Sequence, residues 1–179
     1  NLWMCPDVPF EAPQIVVYRN CFRLETEQEL EFDFSVDECC QLFLNGERVA
    51  DGPERGDAGY WYLSHFRLLL EPGEYCLAAR VLCFGSGLTA HAQMSIRHGL
   101  FVCEKSSLLG SWEYQIAEGF HYSKPWPDWG VYPRFEAENF NADILEGRGG
   151  VWRNVAFFED DRELHEPELP PMRYEPLAA

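Results

Sequence analysis

The chain has 179 residues, a length that suits one domain, or one domain with an appended segment, at about 150 residues per domain. With 46% apolar and 15% aromatic residues it can bury a core, which excludes wholesale disorder. Its 14 Lys and Arg stand against 30 Asp and Glu, and the net charge of −16 argues against nucleic acid and anionic lipid as partners.

Helical periodicity is nearly absent, and 12 Pro and 14 Gly punctuate short alternating runs, as in an all-β protein with frequent turns. Ile15–Tyr18 and Cys21–Leu24 read as a first strand. Leu30, Phe32, Phe34 and Val36 alternate with Glu31, Asp33 and Ser35, giving one buried and one wet face. Cys40–Leu44 and Glu47–Val49 flank Asn45-Gly46, a hairpin signal because a type I′ turn needs positive φ at both central residues.

Residues 51–59 read as a loop, followed by strands at Tyr60–Tyr62 and Phe66–Leu68 and a turn at Glu71-Pro72-Gly73-Glu74. The run 75–83 is apolar on both faces, which suggests a central strand. Further strands are expected at 91–97, 99–104 and 111–116, and this number of strands calls for two packed layers. From 118 to 150 no period is visible. Val151–Phe158 returns as a late strand, and 159–179, acidic with four Pro, reads as an extended exit from a domain over 1–158.

No apolar run approaches the roughly 18 residues that span a bilayer. The start, Asn1 to Pro6, lacks the basic and apolar regions of a signal peptide and the initiator Met, so a trimmed piece of something longer is expected. The cysteines at 5, 21, 39, 40, 76, 83 and 103 show no zinc-site spacing, and neighbours Cys39 and Cys40 on a strand would face opposite ways. They read as reduced, mostly buried small residues, which favours a cytoplasmic location, although a removed signal peptide would reverse that.

General acid and base work needs two carboxyls facing each other, and 30 acids supply many accidental pairs. Asp37/Glu38 and Glu159/Asp160/Asp161 read as solvated surface. The five His residues, at 65, 91, 98, 121 and 165, show no ligand spacing, and no nucleophile or phosphate-loop motif is present, so no catalytic residue is assigned. Asp51, Glu54 and Asp57 offer three carboxylates within 51–57 that a Ca²⁺ ion could use, against the simpler reading of a polar turn; no other cofactor is expected. Trp126, Trp129 and Tyr132, with Asp128 and Arg134 among them, form the best candidate for carbohydrate contact. Aromatic rings suit the C–H faces of a pyranose, and charged side chains suit its hydroxyls. The same rings could instead staple a Pro-rich crossover onto the sandwich or pack against a neighbouring domain.

Leu42-Phe43-Leu44-Asn45-Gly46-Glu47-Arg48-Val49, then Leu70-Glu71-Pro72-Gly73-Glu74-Tyr75 and the strand up to Gly85, resemble the amino-terminal β-sandwich of bacterial α-L-rhamnosidase-like glycoside hydrolases. There a "YLNGxxV" hairpin precedes "LKPGEN" and a long central strand. Trp3 with Tyr18–Phe22 is similar to the family's opening strand, Ser111-Trp112 to its "WK" strand, Glu138–Ala142 to its "ExYDAR" segment, and Trp152–Val155 to its closing "WKPA". The order of these weak motifs across residues 3–158 carries the resemblance. Asn141, Ala142 and Asp143 depart from the family's Asp-Ala-Arg, and nothing resembles its catalytic helical barrel. The resemblance implies an all-β, two-layer antiparallel sandwich of galactose-binding-like jelly-roll type. It implies a non-catalytic accessory module that supports the catalytic domain of the same polypeptide, which is its expected partner, and contacts carbohydrate. A free-standing carbohydrate-binding module is the alternative.

Overall fold

The computed structural model describes residues 1–9, 11–57, 59–85, 95–123 and 132–170. Strands β1 (Leu2–Cys5), β2 (Gln14–Leu24), β3 (Gln28–Val36), β4 (Cys39–Leu44) and β5 (Glu47–Gly52) come first. They are followed by β6 (Trp61–Tyr62), β7 (Ser64–Leu70), β8 (Gly73–Cys83), β9 (Leu100–Glu104) and β10 (Glu113–Ile116). Next come β11 (Phe120–Ser123) and β12 (Tyr132–Phe135), two 3₁₀ turns at Ala137–Asn139 and Ala142–Glu146, then β13 (Arg153–Asn154), β14 (Ala156–Glu159) and β15 (Leu164–His165).

The molecule is a β-sandwich. A five-stranded sheet in the order β14-β1-β9-β3-β7 faces a six-stranded sheet in the order β13-β10-β2-β8-β4-β5, and the pairings within both are antiparallel. The alternation on β3 does what its pattern requires: Leu30, Phe32, Phe34 and Val36 are buried in the core between the sheets, opposite Val16, Tyr18, Leu77, Ala79 and Val81 of β2 and β8. Fully burying side chains of this kind contributes about 1.5–3 kcal/mol each. Asn45 and Gly46 turn β4 into β5 with φ of 51° and 85°, as the Asn-Gly pair predicts.

Both sheets also carry a second apolar layer outside the main core. On the six-stranded sheet, Ile15, Val17, Phe43 and Ala78 pack under Ala117, Phe120, Phe140, Ile144 and Trp152. That explains why β2 and β8 are apolar on both faces. On the five-stranded sheet, Trp3 and Phe158 lie under Trp61 and the carboxy-terminal segment, where β15 pairs parallel with β6. No helix among the described residues is long and apolar enough to cross a membrane.

Four expectations need correction. Cys21 and Cys76, directly opposite each other on β2 and β8, form a disulfide, so the reading of all seven cysteines as thiols fails and with it the premise for a reducing compartment. Residues 95–97 of the expected 91–97 strand are irregular, with the Ile96 and Arg97 amides and the Ser95 hydroxyl donating to Asp37, and 91–94 lie outside the described residues. The run 151–158 is two short strands: β13 pairs with β10 in one sheet and β14 with β1 in the other. The aperiodic stretch 118–150 contains the β11–β12 hairpin and both 3₁₀ turns.

Candidate functional site

The covering segment of the six-stranded sheet leaves a cleft of about 460 Å³, within the usual range for small-molecule sites. It is lined by Tyr114, Gln115 and Ile116 of β10 and by Ile144 of the second 3₁₀ turn. Glu118, Asn139, Asn141, Gly150, Val151 and Arg153 complete the lining. Strand β10 sets its length. Arg153 is the cross-strand partner of Tyr114, and Glu118 follows two residues after the end of the strand.

Local sequence holds the walls. Asn141 caps the 3₁₀ turn 142–146, its side-chain oxygen accepting from the Asp143 amide at 3.1 Å. This is the position where the chain departs from the family's Asp-Ala-Arg. The turn ends at Gly147, φ 72°, whose carbonyl accepts from Arg19. Gly149 and Gly150 follow at φ 67° and 65°. A Cβ on Gly147 would strike the disulfide sulfur of Cys76, one on Gly149 the Asn141 amide, and one on Gly150 the Gln115 amide. Loop 147–150 lies close against two of the cleft's own side chains, and its left-handed backbone favours glycine at 147, 149 and 150. Sequence reading passed over this site; the only signal was three glycines within 147–150 beside Asn139 and Asn141.

A second polar constellation lies at the opposite sheet and is closed. Asp37, expected at the surface, is 0% exposed. Its carboxylate accepts from Ser95 Oγ at 2.6 Å, the Ile96 amide at 2.9 Å, the Cys83 thiol at 3.2 Å and the Arg97 amide at 3.3 Å. It also pairs with Arg162 at 3.5 Å. The Arg162 side chain is 4% exposed, and its guanidinium lies 4.3 Å from the Trp3 ring centroid and 4.5 Å from that of Trp61. It bonds Asp160 at 2.9 Å and donates to the Arg97 carbonyl. Glu38, also expected at the surface, has both carboxylate oxygens buried and sits at φ 117°. Burial pushes its carboxyl up to about 7, with Asp37 adding to the rise against the Phe84 backbone and Arg55. His98, packed on Tyr18 with its ring nitrogen 2.6 Å from the phenol oxygen, is brought down to about 4 by burial, with Asp37 opposing.

The carboxylates considered for Ca²⁺ go to separate partners. Asp51 makes a two-pronged pair with Arg48, Glu54 accepts from the amides of Glu168 and Leu169, and Asp57 caps its own turn at Gly59. Among the described residues, no three His, Cys, Asp or Glu side chains gather as a metal site would require. Of the aromatic candidates, Trp126, Asp128 and Trp129 lie outside the described residues. Tyr132 opens β12, and Arg134, exposed on the same strand, pairs with Glu136 at 3.1 Å.

The fold and its cleft thus define an antiparallel β-sandwich with covered outer faces and a mixed polar and apolar groove under one cover. No family model matches the chain, and no curated protein does. Among solved structures, it is similar to the crystal structure of a GH78 family rhamnosidase of Bacillus sp. GL1, with a TM-score of 0.78 and 19% identity. The match covers 94% of this chain and 20% of that one. The two share a β-sandwich fold, and this chain spans a fifth of the rhamnosidase's length.

Proposed function

We propose that this chain is a non-catalytic accessory β-sandwich module of a larger α-L-rhamnosidase-like glycoside hydrolase, of galactose-binding-like jelly-roll type, which supports the catalytic part of the same polypeptide and contacts carbohydrate. The observation that carries the reading is the match itself: nearly all of this chain aligns with one part of a rhamnosidase several times longer. The chemistry of the cleft is in keeping with it. Hydrolysis of a glycosidic bond uses two carboxyls on either side of the bond. The cleft lining contributes one, Glu118, while Asp37 is occupied by its donors and Glu38 has its oxygens buried.

Carbohydrate contact has two places to occur. One is the cleft, where side-chain amides and charged groups meet apolar side chains; the other is the surface of Trp126, Asp128, Trp129, Tyr132 and Arg134. The test of the accessory role is the coding sequence on either side of this chain. A catalytic domain with paired carboxylates is expected in the same reading frame; its absence on both sides would overturn the role.

A further inference from the structure

The disulfide between Cys21 and Cys76 lies on the outer face of the six-stranded sheet, where the cover meets β2 and β8. Its two sulfurs have different surroundings. Cys21 is exposed, whereas Cys76 is 7% exposed and lies under Gly147, where a Cβ would stand 2.0 Å from the Cys76 sulfur. The backbones beneath are fixed. Cys21 and Cys76 face each other within an antiparallel ladder that runs the full length of β2 and β8. Asn45 holds Cys76 from the other side, its amide donating to the Cys76 carbonyl at 2.9 Å and its side-chain oxygen accepting from the Cys76 amide at 2.8 Å. The cover is held as closely: Arg19 donates to the Gly147 carbonyl and lies 4.2 Å from the Trp152 ring centroid, and the Glu146 side chain rests on Gly46.

Unbonded heavy atoms stand about 3.5–4 Å apart, against about 2.05 Å for sulfurs joined in a disulfide. With both strands fixed, the extra separation after the bond opens is taken up by the side chains, Cys21 turning towards water and Cys76 towards Gly147. No space lies above Cys76, so loop 147–150 has to give way. Gly149 and Gly150 move with it, and these rest on the Asn141 and Gln115 side chains that line the cleft.

From this geometry we infer that Cys21 is a site of thiol–disulfide exchange, and that opening of its bridge by a small thiol such as glutathione loosens the cover over the cleft. A small thiolate attacks the exposed Cys21 sulfur. A new S–S bond joins the two, and the old bond breaks with its electron pair leaving on Cys76 as thiolate. A second small thiolate attacks the small-thiol sulfur of this mixed disulfide, which releases the small-molecule disulfide and leaves Cys21 as thiolate. Both protein thiolates then take up a proton. The bridge gains two electrons, and two small thiols are oxidised to one disulfide. The inference is independent of the accessory-module reading, because it concerns how the cover is held and not what the cleft takes.

The test places the folded ¹⁵N-labelled chain in a series of glutathione redox ratios, with amide exchange followed by NMR and each cysteine followed by alkylation and peptide mass. The mixed disulfide should form on the Cys21 peptide, with Cys76 appearing as the free thiol. In the reduced chain, exchange at Gly147 and Arg148, whose amides donate to the Ile144 and Asp143 carbonyls, should be at least about tenfold faster. Exchange at Val17 and Ala79, inside the β2–β8 ladder, should change less than about twofold. Cys76→Ala, which removes the bridge, should give cover exchange that is the same with and without glutathione. A bridge that resists reduction in the folded chain, an adduct on Cys76 in place of Cys21, or changes confined to the two cysteines would each overturn the inference. So would faster exchange throughout the β2–β8 ladder, or a cover response that persists in Cys76→Ala.

Discussion

Over the five-stranded sheet, the cover is a strap from Glu159 to Leu169 driven in by one buried cation: Arg162 sits between two indole rings and against a fully buried Asp37. Over the six-stranded sheet, the cover is a long segment of 3₁₀ turns and glycines that seals its apolar underside but leaves polar side chains lining an open cleft. The first arrangement encloses its charges. The second keeps its amides at the surface of a groove, held by close backbone contact. Burying paired charge suits a lock, and fixing neutral polar groups at the edge of water suits recognition.

The sharpest way to break this comparison is Arg162→Ala. Removing the guanidinium leaves Asp37 buried without its ion-pair partner, and urea unfolding should show a loss of about 3–5 kcal/mol with little change in m-value. A loss under 1 kcal/mol would mean that the strap is not locked. On the other face, Gly147→Ala puts a Cβ onto the Cys76 sulfur at φ 72°, and should cost about 1–3 kcal/mol. An unchanged stability would contradict the close packing assigned to the 147–150 loop.

Glu38→Gln acts in the opposite direction. A carboxyl raised to about 7 from 4.5 binds its proton more tightly in the folded state, so the native protein loses stability as pH rises through that window and stays at the lower level above it. The Gln variant should therefore be more stable at pH 8, by on the order of 1 kcal/mol after allowing for solvent screening of a partly exposed group, and show a flatter profile between pH 4.5 and 7.

The smallest effect belongs to His65, whose ring nitrogens lie 2.5 Å from Asp33 and 2.6 Å from Glu166 of the strap. Its pKa is raised above 6.5 chiefly by the Asp33 hydrogen bond, with burial opposing and Glu166 adding. The stabilisation is complete below 6.5 and disappears as pH rises through the folded value, and for so exposed a pair it stays below about 1 kcal/mol. A ring titration by NMR should show the raised value, and Glu166→Gln should lower it; no difference between the two proteins would mean that the strap does not touch His65 in solution.

The sandwich was legible because its signals are local. Alternation on β3, the Asn45-Gly46 turn and the doubly apolar β8 each depend on residues within one or two elements. What stayed hidden depends on residues far apart in sequence. Arg162, in an acidic tail, reads as solvated; its burial exists only because Trp3, Trp61 and Asp37 are brought to one place. Cys21 and Cys76 are separated by 55 residues, and only the β2–β8 register makes them neighbours. β1 is four residues long, too short for a period to show, and the break between β13 and β14 has no composition signal because both halves are apolar enough for one strand. Counting thiols under denaturing conditions checks the disulfide directly: five before reduction and seven after, where seven in both would show it absent.

The most direct measurement of the central claim is hydrolysis of an aryl α-L-rhamnoside by the purified chain, followed through successive purification steps. An accessory module gives no turnover above the buffer rate at any step. Activity that tracks the protein through purification and vanishes in Glu118→Gln would instead make the cleft a catalytic site.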